Sequence, residues 1–272
     1  MQQLCRAYGV WFEVGCDDPE LMSGVLDRLP PGTRRTTPAG GPPAFICTVT
    51  TDRPRPDGDD VRVVSLDGAE LQRSYDAGPA LELFESTVRF EVVRRARRWT
   101  FVHAGVVAWQ GTAIVIPGVS RSGKSTLVKA LVETGATYYS DEYAALDSRG
   151  RVFPFAQPLM ERTESDGRLR LSVAEMGGTV GLEPLPVGLV VSTQYETESE
   201  WNPVTLSPGA TVLAMLANTV RAQADPPRSI RVLATVAERA EAIETVRGDA
   251  ASVVGDILAR AERSRSLTRS IA

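Results

Sequence analysis

Lysine is nearly absent from this 272-residue sequence: Lys124 and Lys129 stand alone against twenty-eight arginines, and His103 is the single histidine. The arginine excess reads as coding bias, and it makes Lys124 conspicuous. Cysteine is scarce too. Cys5, Cys16 and Cys47 form no CxxC pair and leave an odd count, which suggests neither a zinc site nor a disulfide framework and predicts reduced, mostly buried thiols. No run of about 18 apolar residues occurs, so no membrane-spanning helix is expected. Gln2, Gln3, Arg6 and Glu13 occupy the region where a secretory signal needs an apolar stretch. The chain is expected to be cytoplasmic, with no membrane partner. It also lacks a positive surplus. A net charge of −4 and a pI near 5.3 argue against a general nucleic-acid binder, whose domains carry extra basic residues to neutralise phosphates.

What is present describes an ordinary globular protein, with 43% hydrophobic and 24% charged residues. The length suits one large domain with a smaller appendage. The expected division is a small N-terminal α+β region over 1–77 and a larger domain over 78–272. In the first part, β-rich segments at 8–14, 44–49 and 61–66 predict strands, 19–29 predicts a helix, and turn residues mark loops at 30–43 and 52–60. From 79 to 99, Leu81, Phe84, Val88 and Val92 recur at helical spacing. Arg94, Arg95, Arg97 and Arg98 close that helix, where cations suit the helix dipole, and they read as a solvated helix end.

Strands are then expected at 101–109 and 112–116, joined by a turn at Gln110-Gly111. A helix carrying Leu127, Val128, Leu131 and Val132 stops at Gly135. A strand over 136–140 completes an expected parallel βαβ unit. Further on, 151–155 reads as a short strand, 161–179 as a polar, irregular region, and 187–193 as a buried strand. Helices are expected at 208–224, 230–240 and 249–262, with a strand at 243–246 and a frayed tail at 263–272.

Residues 118–125 spell Gly-Val-Ser-Arg-Ser-Gly-Lys-Ser, the G-x-x-x-x-G-K-[ST] pattern, with a strand before it and a helix after it. Glycines let the backbone amides turn inward into a nest, and the helix start adds its unsatisfied N–H groups and dipole at the same place. Gly118, Ser120, Arg121, Ser122, Gly123, Lys124, Ser125 and Thr126 are therefore the expected phosphate-binding residues. In this scheme Lys124 reaches the β- and γ-phosphates of ATP, and the Ser125 hydroxyl joins the coordination of Mg²⁺. Asp141 and Glu142 follow at the end of the next strand, at the sheet edge where α/β proteins bind ligands. If one carboxylate holds Mg²⁺, the other is free to take a hydroxyl proton. A lone histidine on a strand is most simply a hydrogen-bonded core residue; strand adjacency could also bring His103 beside Asp141, where it would orient the carboxylate.

His103-Ala104-Gly105-Val106, then 118–126, then Gly135 to Asp141-Glu142 resembles the catalytic domain of HPr kinase/phosphorylase. A similar arrangement is found in phosphoenolpyruvate carboxykinases. The resemblance implies a P-loop core of that type, with a mixed sheet and flanking helices. It implies Asp141 as general base, His103 as the residue that positions it, and Glu142 assisting the metal. Glu183 is implied as a third acid near the metal. The family pattern has Asp then Arg where Glu142 and Tyr143 stand here. The chain looks more like small HPr-kinase-related proteins of bacterial biosynthetic clusters, some of which phosphorylate a serine of a ribosomally made peptide. The expected activity is ATP- and Mg²⁺-dependent transfer to a hydroxyl, most simply a Ser or Thr of a peptide or small protein. A small-metabolite acceptor and a non-catalytic nucleotide-dependent binding role stay open, as does homo-oligomerisation. Arg121, Arg162, Arg221 and Arg247 are unranked candidates for assisting transfer.

Overall fold

The computed structural model describes residues 1–37, 41–52, 60–119, 122–162 and 168–269. The chain divides into two compact units, Met1–Arg98 and Trp99–Ala272. The first holds strands β1 (Gln2–Ala7), β2 (Val10–Cys16), β3 (Arg34–Arg35), β4 (Ile46–Asp52), β5 (Val61–Leu66) and β6 (Ala69–Ser74), with helices α1 (Pro19–Asp27) and α2 (Ala77–Arg95). The strands form one sheet in the order β3-β1-β2-β4-β5-β6. Only the β2–β4 pair is parallel. Strands β1 and β6 fall outside the expected set because their sequences, QQLCRA and AELQRS, are poor in β-branched and aromatic residues. Each is folded onto a stronger neighbour by a two-residue turn, Tyr8-Gly9 and Asp67-Gly68, with positive φ at both positions (50° and 82°, 51° and 81°). That conformation matches the twist of a hairpin.

The boundary falls after Arg98 rather than after residue 77, because α2 belongs to the first unit. Leu81, Phe84, Val88 and Val92 are buried, and the helix packs on β4, β5, β6 and α1. Of the four arginines at its end, Arg94, Arg97 and Arg98 are exposed, as expected of a solvated helix end, and Arg95 is also anchored. Arg95 donates to the Ala44 carbonyl (3.2 Å), lies 5.1 Å from the Phe45 ring centroid, and with Arg94 pairs with the buried Glu91. The three cysteines are free and buried. Burial pushes the Cys5 thiol up to about 11 and the Cys47 thiol to about 12, so neither is a ready nucleophile.

The second unit contains β7 (Thr100–Trp109), β8 (Thr112–Pro117), β9 (Thr137–Ser140), β10 (Tyr143–Leu146), β11 (Arg151–Phe153), β12 (Leu159–Arg162), β13 (Arg168–Leu171), β14 (Leu185–Tyr195), β15 (Val204–Thr205) and β16 (Glu241–Arg247). Its helices are α3 (Lys124–Glu133), α4 (Pro208–Leu216), α5 (Pro226–Ala237) and α6 (Ala250–Arg269). The main sheet has eight strands in the order β11-β10-β7-β8-β14-β16-β15, with β9 also on β7. Because β11 pairs with the start of β14 as well, five of these strands close on themselves. One face is covered by α3 and α6, whose Leu127, Leu131, Val253 and Ile257 pack with Ile114, Ile116 and Ile243. The other face packs Val106, Val115 and Val190 with Met215 of α4 and Leu233 and Val236 of α5. At Gly105 a Cβ would sit 2.5 Å from Val128 Cγ2, so the missing side chain lets α3 lie close on β7.

Several expectations are corrected here. The β7–β8 hairpin forms at Gln110-Gly111 as expected, but the strand after α3 is not the neighbour of β8. Strand β9 pairs antiparallel with β7, so the α3 crossover leads to a strand that is parallel to β8 but one place away. The parallel neighbours are β8–β14 and β14–β16. The helix expected over 208–224 stops at Leu216 because the chain turns to serve β7: His103 N–H donates to Asn218 O (2.7 Å) and Val220 N–H to Phe101 O (3.0 Å). Helix α5 begins earlier than expected, with Asp225 capping the Arg228 N–H (3.3 Å) and proline in its first turn. Helix α6 runs past 262 to Arg269. Within the supposedly irregular 161–179 region, β12 and β13 pair from Leu159↔Leu171 to Arg162↔Arg168. Among the described residues no helix is long and apolar enough to cross a membrane.

Candidate functional site

Three parallel strands, β8, β14 and β16, deliver Pro117, Tyr195 and Arg247 to one edge of the sheet, and the 118–123 segment links that edge to α3. The segment is fixed at both ends. At its entry, Gly118 N–H donates to His103 O (3.2 Å), while His103 Nδ1 lies 2.8 Å from Gly118 O. At its exit, Tyr195 N–H donates to Ser122 O (3.2 Å), and the Arg247 guanidinium donates through Nη2 to Gly123 O (2.7 Å) and through Nη1 to Gly248 O (2.9 Å). Arg247 is only 1% exposed. Gly123 has φ of 84°, and a Cβ there would lie 2.6 Å from Arg247 Nη2, so both conformation and space call for glycine. Ser120 and Arg121 lie outside the described residues.

Lys124 opens α3 and is buried, its Nζ donating to Val119 O at 2.7 Å. Burial draws its pKa down, and the charges of Glu142 and Asp141 act against that shift. Ser125 Oγ lies 3.3 Å from Asp141 Oδ2. Tyr138 OH lies 3.1 Å from Asp141 Oδ1 and 2.8 Å from Gln157 O. Burial, reinforced by the Asp141 charge, raises the Tyr138 pKa, which keeps this phenol a donor.

The acid pair sits in a two-residue interruption between β9 and β10, which lie end to end along the same edge of β7. Ser140 Oγ accepts from Glu142 N–H and Tyr143 N–H (3.0 Å each), and Ala104 N–H donates to Glu142 O (3.1 Å), which fixes the kink. Tyr143 is directly across from His103. This register gives the histidine a different partner from the one expected. His103 Nε2 lies 3.7 Å from Glu142 Oε1, while Asp141 turns to Ser125 and Tyr138. A carbonyl only accepts, so His103 Nδ1 carries the proton donated to Gly118 O, and Nε2 is the nitrogen left facing the Glu142 carboxylate.

The remaining expected site residues are distributed as follows. Gly118, Ser122, Gly123, Lys124, Ser125 and Thr126 gather at the start of α3, with Asp141, Glu142 and His103 beside them. Glu183 does not join them. Its backbone oxygen accepts from Tyr139 OH (2.7 Å), its side chain is exposed, and its carboxylate makes no hydrogen bond or ion pair among the described residues. Tyr139 and Tyr138 are adjacent in β9 and point to opposite faces, which puts Glu183 across the sheet from the Asp141 contacts. Of the candidate arginines, Arg247 grips this segment through its guanidinium, at Gly123 O. The sequence supplies no signal for this, since only the parallel pairing Tyr195↔Arg247 brings it to the loop.

The residues fit a polyphosphate and a magnesium ion. Ser122 Oγ is buried and has no hydrogen-bond partner among the described residues, which leaves a polar atom in the loop available to a ligand. No cluster of three or more His, Cys, Asp or Glu that could hold a metal occurs among the described residues. Magnesium needs none, because it takes one or two protein oxygens and completes its shell with water and phosphate. Ser125 and Asp141 would be those oxygens.

Among solved structures the chain is similar to that of the HPr(Ser) kinase/phosphatase from Coxiella burnetii, at 15% identity over 61% of this chain and 97% of that one, with a TM-score of 0.38. No family model matches the chain, and no curated protein matches it.

Proposed function

We propose that the protein is an ATP- and Mg²⁺-dependent kinase that phosphorylates a hydroxyl, that of a Ser or Thr in a peptide or small protein. The observation that carries this reading is the pairing at the head of α3: Ser125 with Asp141, and His103 with Glu142, both acids close enough to act on Lys124. A simple phosphate cradle needs only one acid. Here two carboxylates have different partners, so they are suited to different tasks.

Mg²⁺, when bound by Ser125 and Asp141, would neutralise charge on the β- and γ-phosphates. The loop amides and Lys124 hold the phosphates and stabilise charge on the transferred group. Lys124 exchanges its bond to Val119 O for phosphate oxygens. Glu142 accepts the proton of the acceptor hydroxyl as that oxygen bonds to the γ-phosphorus and ADP departs. His103, tied to Gly118 O through Nδ1–H, presents Nε2 to Glu142 and can take up the proton that Glu142 accepts. This reverses the assignment implied by resemblance, in which Asp141 is the base.

The test is transfer of the labelled γ-phosphate from ATP to a panel of Ser- and Thr-containing peptides and hydroxylated metabolites. Label on a peptide supports the reading, and label on metabolites alone changes the acceptor class. ATP binding without transfer to any acceptor would instead indicate a nucleotide-dependent binding protein.

A further inference from the structure

A cleft of about 650 Å³ opens beside the head of α3, lined by Gly123, Thr126, Tyr195, Glu198, Arg247 and Asp249 among others, whereas Ser125, Asp141, Glu142 and His103 are not in its wall. Its size is that of a small-ligand site. Thr126 is one residue beyond Ser125, about 100° further around the helix, so the cleft and the acid pair lie on different sides of the same helix start. A nucleoside triphosphate has this polarity, with its reacting phosphate at one end and its nucleoside at the other.

We infer that this cleft takes the ribose and base of the nucleotide, an inference that rests on the phosphate-binding reading above. Tyr195 is 51% exposed; the Arg247 guanidinium lies over its ring, 5.8 Å from the centroid, and the aromatic surface left open is one on which a base can stack. Glu198 and Asp249 are exposed carboxylates that only accept hydrogen bonds, which suits the hydroxyls of a ribose. Glu198 is held at φ of 62°, an uncommon conformation for a non-glycine residue. The deeply buried Arg247 commits both Nη atoms to carbonyls. A second phosphate site would be a poor match for this lining, because the two carboxylates repel an anion and the one arginine is engaged with backbone.

The test compares Mg-ATP with magnesium tripolyphosphate as ligands of the full chain. The parent should bind ATP at least about tenfold more tightly than tripolyphosphate, and Tyr195→Ala should lose about tenfold for ATP alone. Unchanged tripolyphosphate affinity in the variant shows at the same time that it is folded. In a second arm, 2′,3′-dideoxy-ATP should bind the parent more weakly than ATP does, and Asp249→Asn should narrow that difference. Equal affinity of the parent for ATP and tripolyphosphate, or an equal loss of both in Tyr195→Ala, would overturn the nucleoside site while leaving the phosphate site standing. If the parent binds neither ligand, both readings fall.

Discussion

Changing Glu142 to Gln is expected to slow phosphoryl transfer by about 10²- to 10⁴-fold, the usual worth of a positioned general base, with Mg-ATP affinity altered by less than about threefold. The amide keeps the size of the carboxylate and cannot accept the hydroxyl proton. Asp141→Asn should behave differently, because Asp141 lies by Ser125 Oγ (3.3 Å) and Tyr138 OH (3.1 Å) rather than by the histidine. Removing its charge should raise the Mg²⁺ concentration needed for half-maximal transfer by about tenfold or more. Steady-state transfer measured across a magnesium titration separates the two. The opposite pattern, with Asp141→Asn abolishing transfer at saturating magnesium and Glu142→Gln shifting only the metal requirement, would restore Asp141 as the base.

Arg247→Leu is expected to cost about 2–4 kcal/mol of stability, because it strips charged donors from two backbone carbonyls in a buried position. The acceptors are Gly123 O and Gly248 O, at 2.7 and 2.9 Å. Arg247→Lys should recover only part of the loss, since one ammonium on a flexible stem does not reproduce a planar fork between two carbonyls. Gly123 ends the segment proposed to bind phosphate, so the leucine variant should also bind Mg-ATP more weakly. Urea unfolding and nucleotide titration of both variants check this. Parent-like stability in Arg247→Leu would mean that the two carbonyls find other donors and that the arginine is not the brace.

Local signals carried much of the fold. The β7–β8 hairpin, α2, α3 and the β14 core were legible because each combines a strong periodic pattern with a turn or stop residue. What was hidden depends on pairing across distance. Strands β1 and β6 owe their form to hairpin turns and neighbours rather than to propensity. The end of α4 is set by β7, which draws Asn218 and Val220 away from a helical path. The division after Arg98 follows from what α2 packs on, which the pattern Leu81, Phe84, Val88, Val92 does not reveal.

The same distinction holds at the site. The Gly118, Gly123, Lys124 and Ser125 set lies within eight consecutive residues, so its gathering at a helix start was readable, as was the arrival of Asp141 and Glu142 one strand later. The partner of His103 was not readable. It is set by the His103↔Tyr143 register and the kink at Ser140, which together place Glu142 by the imidazole. Arg247 and Tyr195 come from strands far along the chain and reach the loop only through the parallel β14–β16 pair.

The most direct test of the central claim, that residues 118–126 hold the phosphates of a nucleotide, is a calorimetric titration of the parent and of Lys124→Ala with Mg-ATP. The account predicts saturable one-site binding to the parent and a loss of about 10- to 100-fold in the variant, the worth of charge-assisted hydrogen bonds to phosphate. Equal affinity of the two proteins for Mg-ATP would contradict it.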